Sequence, residues 1–212
     1  MRVFFAAMTF LFSLAACAES EAPKTVYKEG THYVALESPV RTRDANKIEI
    51  TEVFWYGCGH CYTFEALLHP WQKNLAEDVD YQSSPAMWNQ DMTLHARAFY
   101  TAKALGVLDK MHSKIFSAMH VANDKLKSEH SIAKLFAKNG VDLDKFTRTF
   151  NSFGINSQVK QAEARARGYK ITGTPEMIVD GKYRVSGRTA GSHEDMLKVV
   201  DFLIEKVRAD KS

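Results

Sequence analysis

Three cysteines in 212 residues are few, and that scarcity excludes more than any abundance suggests. Cys58 and Cys61 form one close pair, Cys17 stands alone near the N-terminus, and no second pair exists. A structural zinc site needs four ligands, commonly two such pairs. A disulfide between Cys58 and Cys61 would close so small a loop that it constrains the unfolded chain little. Other absences narrow the function class. Basic and acidic residues are interspersed, with a net charge of only +3, so no basic stripe points to nucleic acid and no acidic tail to a solvating segment. Internal repeats and low-complexity segments are missing too. Apolar content of 45% and charged content of 25% describe an ordinary globular protein with a real core.

The longest apolar run, Val3 to Ala16, is too short to span a bilayer as a mature helix. It follows Met1-Arg2 and precedes small residues at Ala15, Ala16, Cys17 and Ala18, the pattern of a secretory signal over 1–18. Two cleavage points fit. Ala16-Cys17-Ala18 is an A-x-A site releasing Glu19, whereas Leu14-Ala15-Ala16-Cys17 resembles the bacterial lipobox, with Cys17 lipidated as the first mature residue. Either way Cys17 is removed or capped, and the mature chain keeps Cys58 and Cys61 as its free thiols. In an oxidising compartment, one close pair free of competing thiols suits redox chemistry.

A polar leader occupies 19–30. His32–Leu36 reads as a short strand and Pro39–Asn46 as a turn. Ile48–Tyr56 (IEITEVFWY) is β-branched and aromatic, a buried central strand ending at Gly57. Apolar residues at 64, 67, 68, 71 and 75 predict a helix over Cys61–Leu75, kinked at Pro70. Val79–Ser84 is a second strand. From Asn89 to about Asn151 the pattern is helical, with breaks at Gly106 and Asn139-Gly140. His95, His112, His120 and His130 fall in this block and read as core or surface residues. Further helices follow over 141–153 and 156–167. TGTPEMIVDGKYRVSG is then a hairpin turning at Asp180-Gly181, and Ser192–Val207 is a closing helix with Ser192 as its N-cap. The order describes an α/β domain interrupted by helices: 31–86, a helical insertion over 87–153, and a second part over 154–212.

The pair CGHC thus lies where a strand ends and a helix begins. Free N–H groups and the helix dipole there stabilise a thiolate at Cys58, and His60 adds a donor or positive charge. Cys61, one step into the helix, is the more buried resolving thiol. Stabilising the Cys58 thiolate stabilises the reduced form and makes the disulfide a stronger oxidant.

FWYGCGHCYTFE, followed by HARAFYTAKALGVLDKMH and TGTPEMIVDGKYRVSG, resembles the DsbA family of bacterial periplasmic thiol oxidases, from about Val26 to Val207. The resemblance implies a thioredoxin-like fold with an inserted helical domain and no cofactor. It implies that a protein disulfide oxidoreductase acts on folding exported proteins with free cysteines and is reoxidised by a DsbB-like membrane quinone reductase. The implied state is a periplasmic monomer, lipid-anchored if Cys17 is modified. Pro175 matches the family's cis-proline, preceded by Thr174, and Glu52 matches an acidic residue placed to relay the proton of Cys61. Glu65 fits the pattern as a capping or ion-pairing residue. Trp55, Tyr56 and Tyr62 could line a substrate groove, or belong to the core. The chain departs from the family's usual form at Gly59, where proline is common, and at Thr174, where valine is common. Gly-His and Thr are both found in disulfide isomerases, so the same pair could serve an isomerase or reductase, although no separate dimerisation domain is present. A lipid-anchored chaperone-like module is the remaining alternative.

Overall fold

The computed structural model describes residues 27–211. The signal, Cys17 and most of the polar leader lie outside the described residues. Five strands form one mixed sheet in the order β1-β5-β4-β2-β3. Its longest interior strand is β2 (Ile48–Phe54), buried along its whole length. The strand runs parallel to β3 (Val79–Pro85) and antiparallel to β4 (Glu176–Val179). A strand covered on both faces favours the continuous β-branched and aromatic run that IEITEVF supplies. The pairing ends at Phe54, two residues before the position expected from composition. Trp55 and Tyr56 lead out of the sheet instead.

β4 turns into β5 (Tyr183–Ser186) through Asp180 and Gly181, both at positive φ. Asp tolerates that conformation and Gly adopts it freely. A Cβ on Gly181 would also lie 1.9 Å from the Val40 carbonyl oxygen, so only glycine fits. β1 is reduced to Val34–Ala35, paired antiparallel with β5 at the sheet's edge.

Between β3 and β4 comes the helical block: α2 (Gln90–Ala104), α3 (Leu108–His120), α4 (Glu129–Lys138) and α5 (Leu143–Phe150). A break over 121–128, which contains neither glycine nor proline, interrupts the expected helical run. Asn123 and Leu126 take positive φ there, and Leu126 is buried beneath the loop. Burial of one leucine, about 2 kcal/mol, can outweigh the strain of such a turn. α6 (Phe153–Gly168) packs on α2 and α5, while its Arg165 reaches back to Glu49 of β2.

Two cores result. One lies between the sheet and two helices, α1 (Gly59–Gln72) and α8 (His193–Lys211), around Ile50, Phe64, Leu68, Met196, Val200 and Leu203. The 196, 200, 203, 207 spacing on α8 is the apolar stripe of an amphipathic helix, and Ser192 accepts from the Asp195 N–H at its start. The second core fills the helical block and includes Phe54, Tyr56 and Cys61. The redox pair therefore sits on the seam between the two. Short α7 (Gly187–Ala190) links β5 to α8.

Candidate active site

Beyond Phe54 the chain makes one turn, with Cys58 N–H donating to the Trp55 carbonyl at 3.0 Å, and then enters α1. Cys58 is the N-cap of that helix, and its sulfur accepts from the Cys61 N–H at 3.4 Å. Sulfur thus takes the place of the oxygen that a capping serine or aspartate would offer. Gly59 occupies the first helical position, exposed and with open space around any added Cβ. Proline suits that position equally well, so CGHC and a proline-containing motif share one backbone.

From the other side Thr174 closes on the same sulfur. The Cys58 thiol donates to the Thr174 carbonyl oxygen at 3.3 Å. The half-buried Cys58 has its pKa lowered to about 5. The Cys61 thiol contributes most to that lowering, followed by Thr174 and the N–H groups of Cys61 and His60, while desolvation acts in opposition. Cys61 is fully buried, and burial together with the neighbouring Cys58 pushes its pKa far above the ordinary thiol range. One thiol ionises readily and the other does not.

Beneath Cys61 lies Glu52, completely buried on β2. Its Oε2 accepts from Tyr81 Oη at 2.9 Å, and its Oε1 has no partner. Burial and the nearby Glu65 carboxylate raise its pKa to about 7, against the pull of His112 and the hydroxyls of Tyr81 and Ser83. Glu65 is paired with His69 at 3.1 Å and His112 at 3.4 Å. A cleft of about 430 Å³ on this side is lined by Tyr81, Ser83, Glu65 and His112. Tyr81 and Ser83, whose hydroxyls act on Glu52, thus also face that cleft.

Three histidines of the helical block hold the motif. Trp55 Nε1 donates to His95 Nδ1 at 3.0 Å, Tyr56 Oη meets His112 Nδ1 at 2.8 Å, and His120 Nε2 donates to the Tyr56 carbonyl at 2.8 Å. The His120 ring also stacks on Tyr62 at 4.8 Å. Reading these histidines as core or surface residues misses that they grip FWYG. Only the placement of His112 and His120 two turns apart on one helix hints at it. His130 is exposed and takes no part. Gly57 is required locally, because a Cβ there would lie 2.3 Å from the Trp55 ring.

The Thr174–Pro175 peptide is cis. Thr174, Pro175, His60 and His193 line a second cleft of about 360 Å³. The exposed His60 ring lies against His193, with centroids 5.8 Å apart, and it is the backbone of His60 that acts on the Cys58 sulfur. Tyr56 is buried in the core. Trp55, half-buried against Gly57 and His95, lies outside the cleft beside Pro175.

This arrangement has known relatives. A family description, DSBA-like thioredoxin domain, matches residues 68–193. The thiol:disulfide interchange protein DsbA of Pseudomonas aeruginosa is 41% identical over 203 residues, covering 96% of this chain and 93% of the relative. That of Azotobacter vinelandii is 40% identical over 201 residues, covering 95% and 94%. The crystal structure of Pseudomonas aeruginosa DsbA superposes with a TM-score of 0.84 at 42% identity, covering 87% of this chain and 96% of that one.

Proposed function

The chain belongs to the DsbA family of thiol:disulfide interchange proteins, and from that premise we propose how its residues divide the work. It is a protein thiol:disulfide oxidoreductase that introduces disulfides through Cys58 and Cys61. The observation that carries the assignment is the asymmetry of the pair: an accessible, thiolate-stabilised Cys58 beside a buried, proton-retaining Cys61.

In the oxidised protein a substrate thiolate attacks Cys58 Sγ, the accessible sulfur. The Cys58–Cys61 bond breaks, Cys61 leaves with the electron pair, and a substrate–Cys58 disulfide forms. Glu52, protonated up to about pH 7, supplies the proton that Cys61 takes up. A second substrate thiolate then attacks the substrate sulfur. Cys58 departs as a thiolate, the better leaving group because of its low pKa. Two electrons have moved from the substrate dithiol to the Cys58–Cys61 pair.

Pro175 and Thr174 present the chain edge against which the substrate backbone lies, Thr174 and the N–H groups of His60 and Cys61 stabilise the departing sulfur, and Gly59 keeps the approach open. The substrates are exported proteins with free cysteines, the site of action is the periplasm, and the monomer is reoxidised by a DsbB-like membrane quinone reductase. Cys17 carries the lipid if the lipobox is used, which mass spectrometry of the mature N-terminus decides.

Oxidation of reduced, unfolded ribonuclease tests the assignment. Cys58→Ser should abolish it, and Cys61→Ser, activated as a Cys58 mixed disulfide with a small thiol, should accept a substrate thiol in its place. Unchanged oxidation by Cys58→Ser would overturn the reading. Gly59 and Thr174 favour one second reading, an isomerase or reductase kept reduced in the cell. A strongly negative redox potential would establish it.

A further inference from the structure

We propose that the cleft beside the Thr174–Pro175 loop favours substrate segments carrying an aspartate or glutamate close to the reacting cysteine. Arg188, His60 and His193 would read that carboxylate. The inference rests on the oxidoreductase reading above and adds a substrate preference to it.

All three side chains line the same cleft as Thr174 and Pro175. Arg188 is exposed on α7 and forms no ion pair among the described residues. The cleft's one carboxylate, Glu176, is turned to other work. It is buried, its Oε1 accepts from the Thr172 N–H and hydroxyl at 3.3 and 3.0 Å, and Arg184 lies 3.7 Å from its Oε2. Glu194 and Asp195 follow on α8 but do not line the cleft, and Asp195 is engaged by Ser192 and Lys198. The opening therefore presents the Arg188 cation and the His60 and His193 rings, with its one carboxylate buried and turned to Thr172 and Arg184.

The donors are held in place. The His193 ring packs on Phe64 at 5.2 Å and on His60 at 5.8 Å. Gly187 lies behind it, where an added Cβ would stand 3.4 Å from His193 Cδ2. Burial and then His60 lower the His193 pKa, and Cys58 opposes them, so His193 is close enough to that sulfur to sense its charge. In the reduced protein the Cys58 thiolate acts on His193 of the same cleft. In the disulfide and the mixed disulfide that negative charge is gone, and a substrate carboxylate takes its place. When Cys58 leaves as a thiolate the charge returns, which favours release of the product.

The test uses the oxidised mature protein and three dithiol peptides identical except for Glu, Gln or Lys two residues before the first cysteine. Each peptide's exchange rate is divided by its rate with hydroxyethyl disulfide, because a neighbouring charge alters cysteine reactivity by itself. The normalised Glu:Lys ratio should be about two- to five-fold, the range of exposed ion pairs, and should shrink in 0.5 M salt. Arg188→Gln should reduce the ratio, and Arg188→Glu should bring it to one or below. A ratio of one in the parent protein, or a ratio untouched by Arg188→Glu, would overturn the preference while leaving the oxidoreductase assignment intact. Failure to oxidise even the Gln peptide would instead overturn that assignment.

Discussion

The sulfur of Cys58 and the carbonyl oxygen of Thr174 lie 3.3 Å apart, although 116 residues separate them in the chain. Beside that carbonyl, the Thr174 side chain also hydrogen-bonds the sulfur and helps lower its pKa. Thiolate absorbance at 240 nm in the reduced protein should rise with a midpoint near pH 5. Thr174→Val removes the threonine hydroxyl and should move that midpoint up by about one unit, since a hydrogen bond to a charged group contributes about 1.5 kcal/mol. An unmoved midpoint would assign the low pKa to the Cys61 thiol and the N-cap N–H groups without Thr174.

The same asymmetry sets how the redox potential follows pH. Below about pH 5 reduction takes up two protons with two electrons, and above it only one, because Cys61 keeps its proton. Equilibration with glutathione should give a slope of about 59 mV per pH unit at low pH, breaking to about 30 mV above. A single slope through pH 5 would contradict a thiolate at Cys58.

Glu52 carries the opposite sign. Its folded pKa of about 7 lies above the ordinary 4.5, so its contribution to stability is complete below pH 4.5 and lost as pH rises through 7. Glu52→Gln cannot ionise. It should therefore be more stable than the parent at pH 8, by up to about 3 kcal/mol, and close to it at pH 4. Urea unfolding at the two pH values checks the sign. Substrate oxidation by the same variant should slow at the step in which Cys61 becomes protonated.

Glu49 needs its partners for a different reason. The buried carboxylate on β2 is held by Arg165 of α6 and by Arg43. Arg165→Met leaves it half-compensated and should cost about 2 kcal/mol, less than the complete loss of a buried pair's partner because Arg43 remains. Adding Glu49→Gln should recover part of that loss. If the double variant is no better, packing of the Arg165 stem accounts for the effect.

Legibility in the sequence followed the range of the interactions. The Asp180-Gly181 turn, the Ser192 cap and the strand-to-helix junction at CGHC are local matters of backbone conformation and capping, and residue types announce them. The loop over 121–128 was hidden because its turn rests on Asn123 and on a leucine that earns its left-handed backbone by burial. Tyr81, His112 and His120 were hidden for a stronger reason. Their roles depend on which elements the topology brings together, and nothing around a tyrosine on β3 indicates that it will face a carboxylate on β2. The family resemblance supplied Glu52 and Pro175, whereas the histidine grip on FWYG exists only in the folded arrangement.

The helical block delays the completion of the site. Synthesis from the N-terminus delivers Cys58 and Cys61 early, while Thr174 follows only after four helices of the block and α6. Until that late segment joins the sheet, the dithiol lacks its second wall and the share of the lowered Cys58 pKa that Thr174 supplies. The reactive sulfur is thus fully armed only by the finished fold.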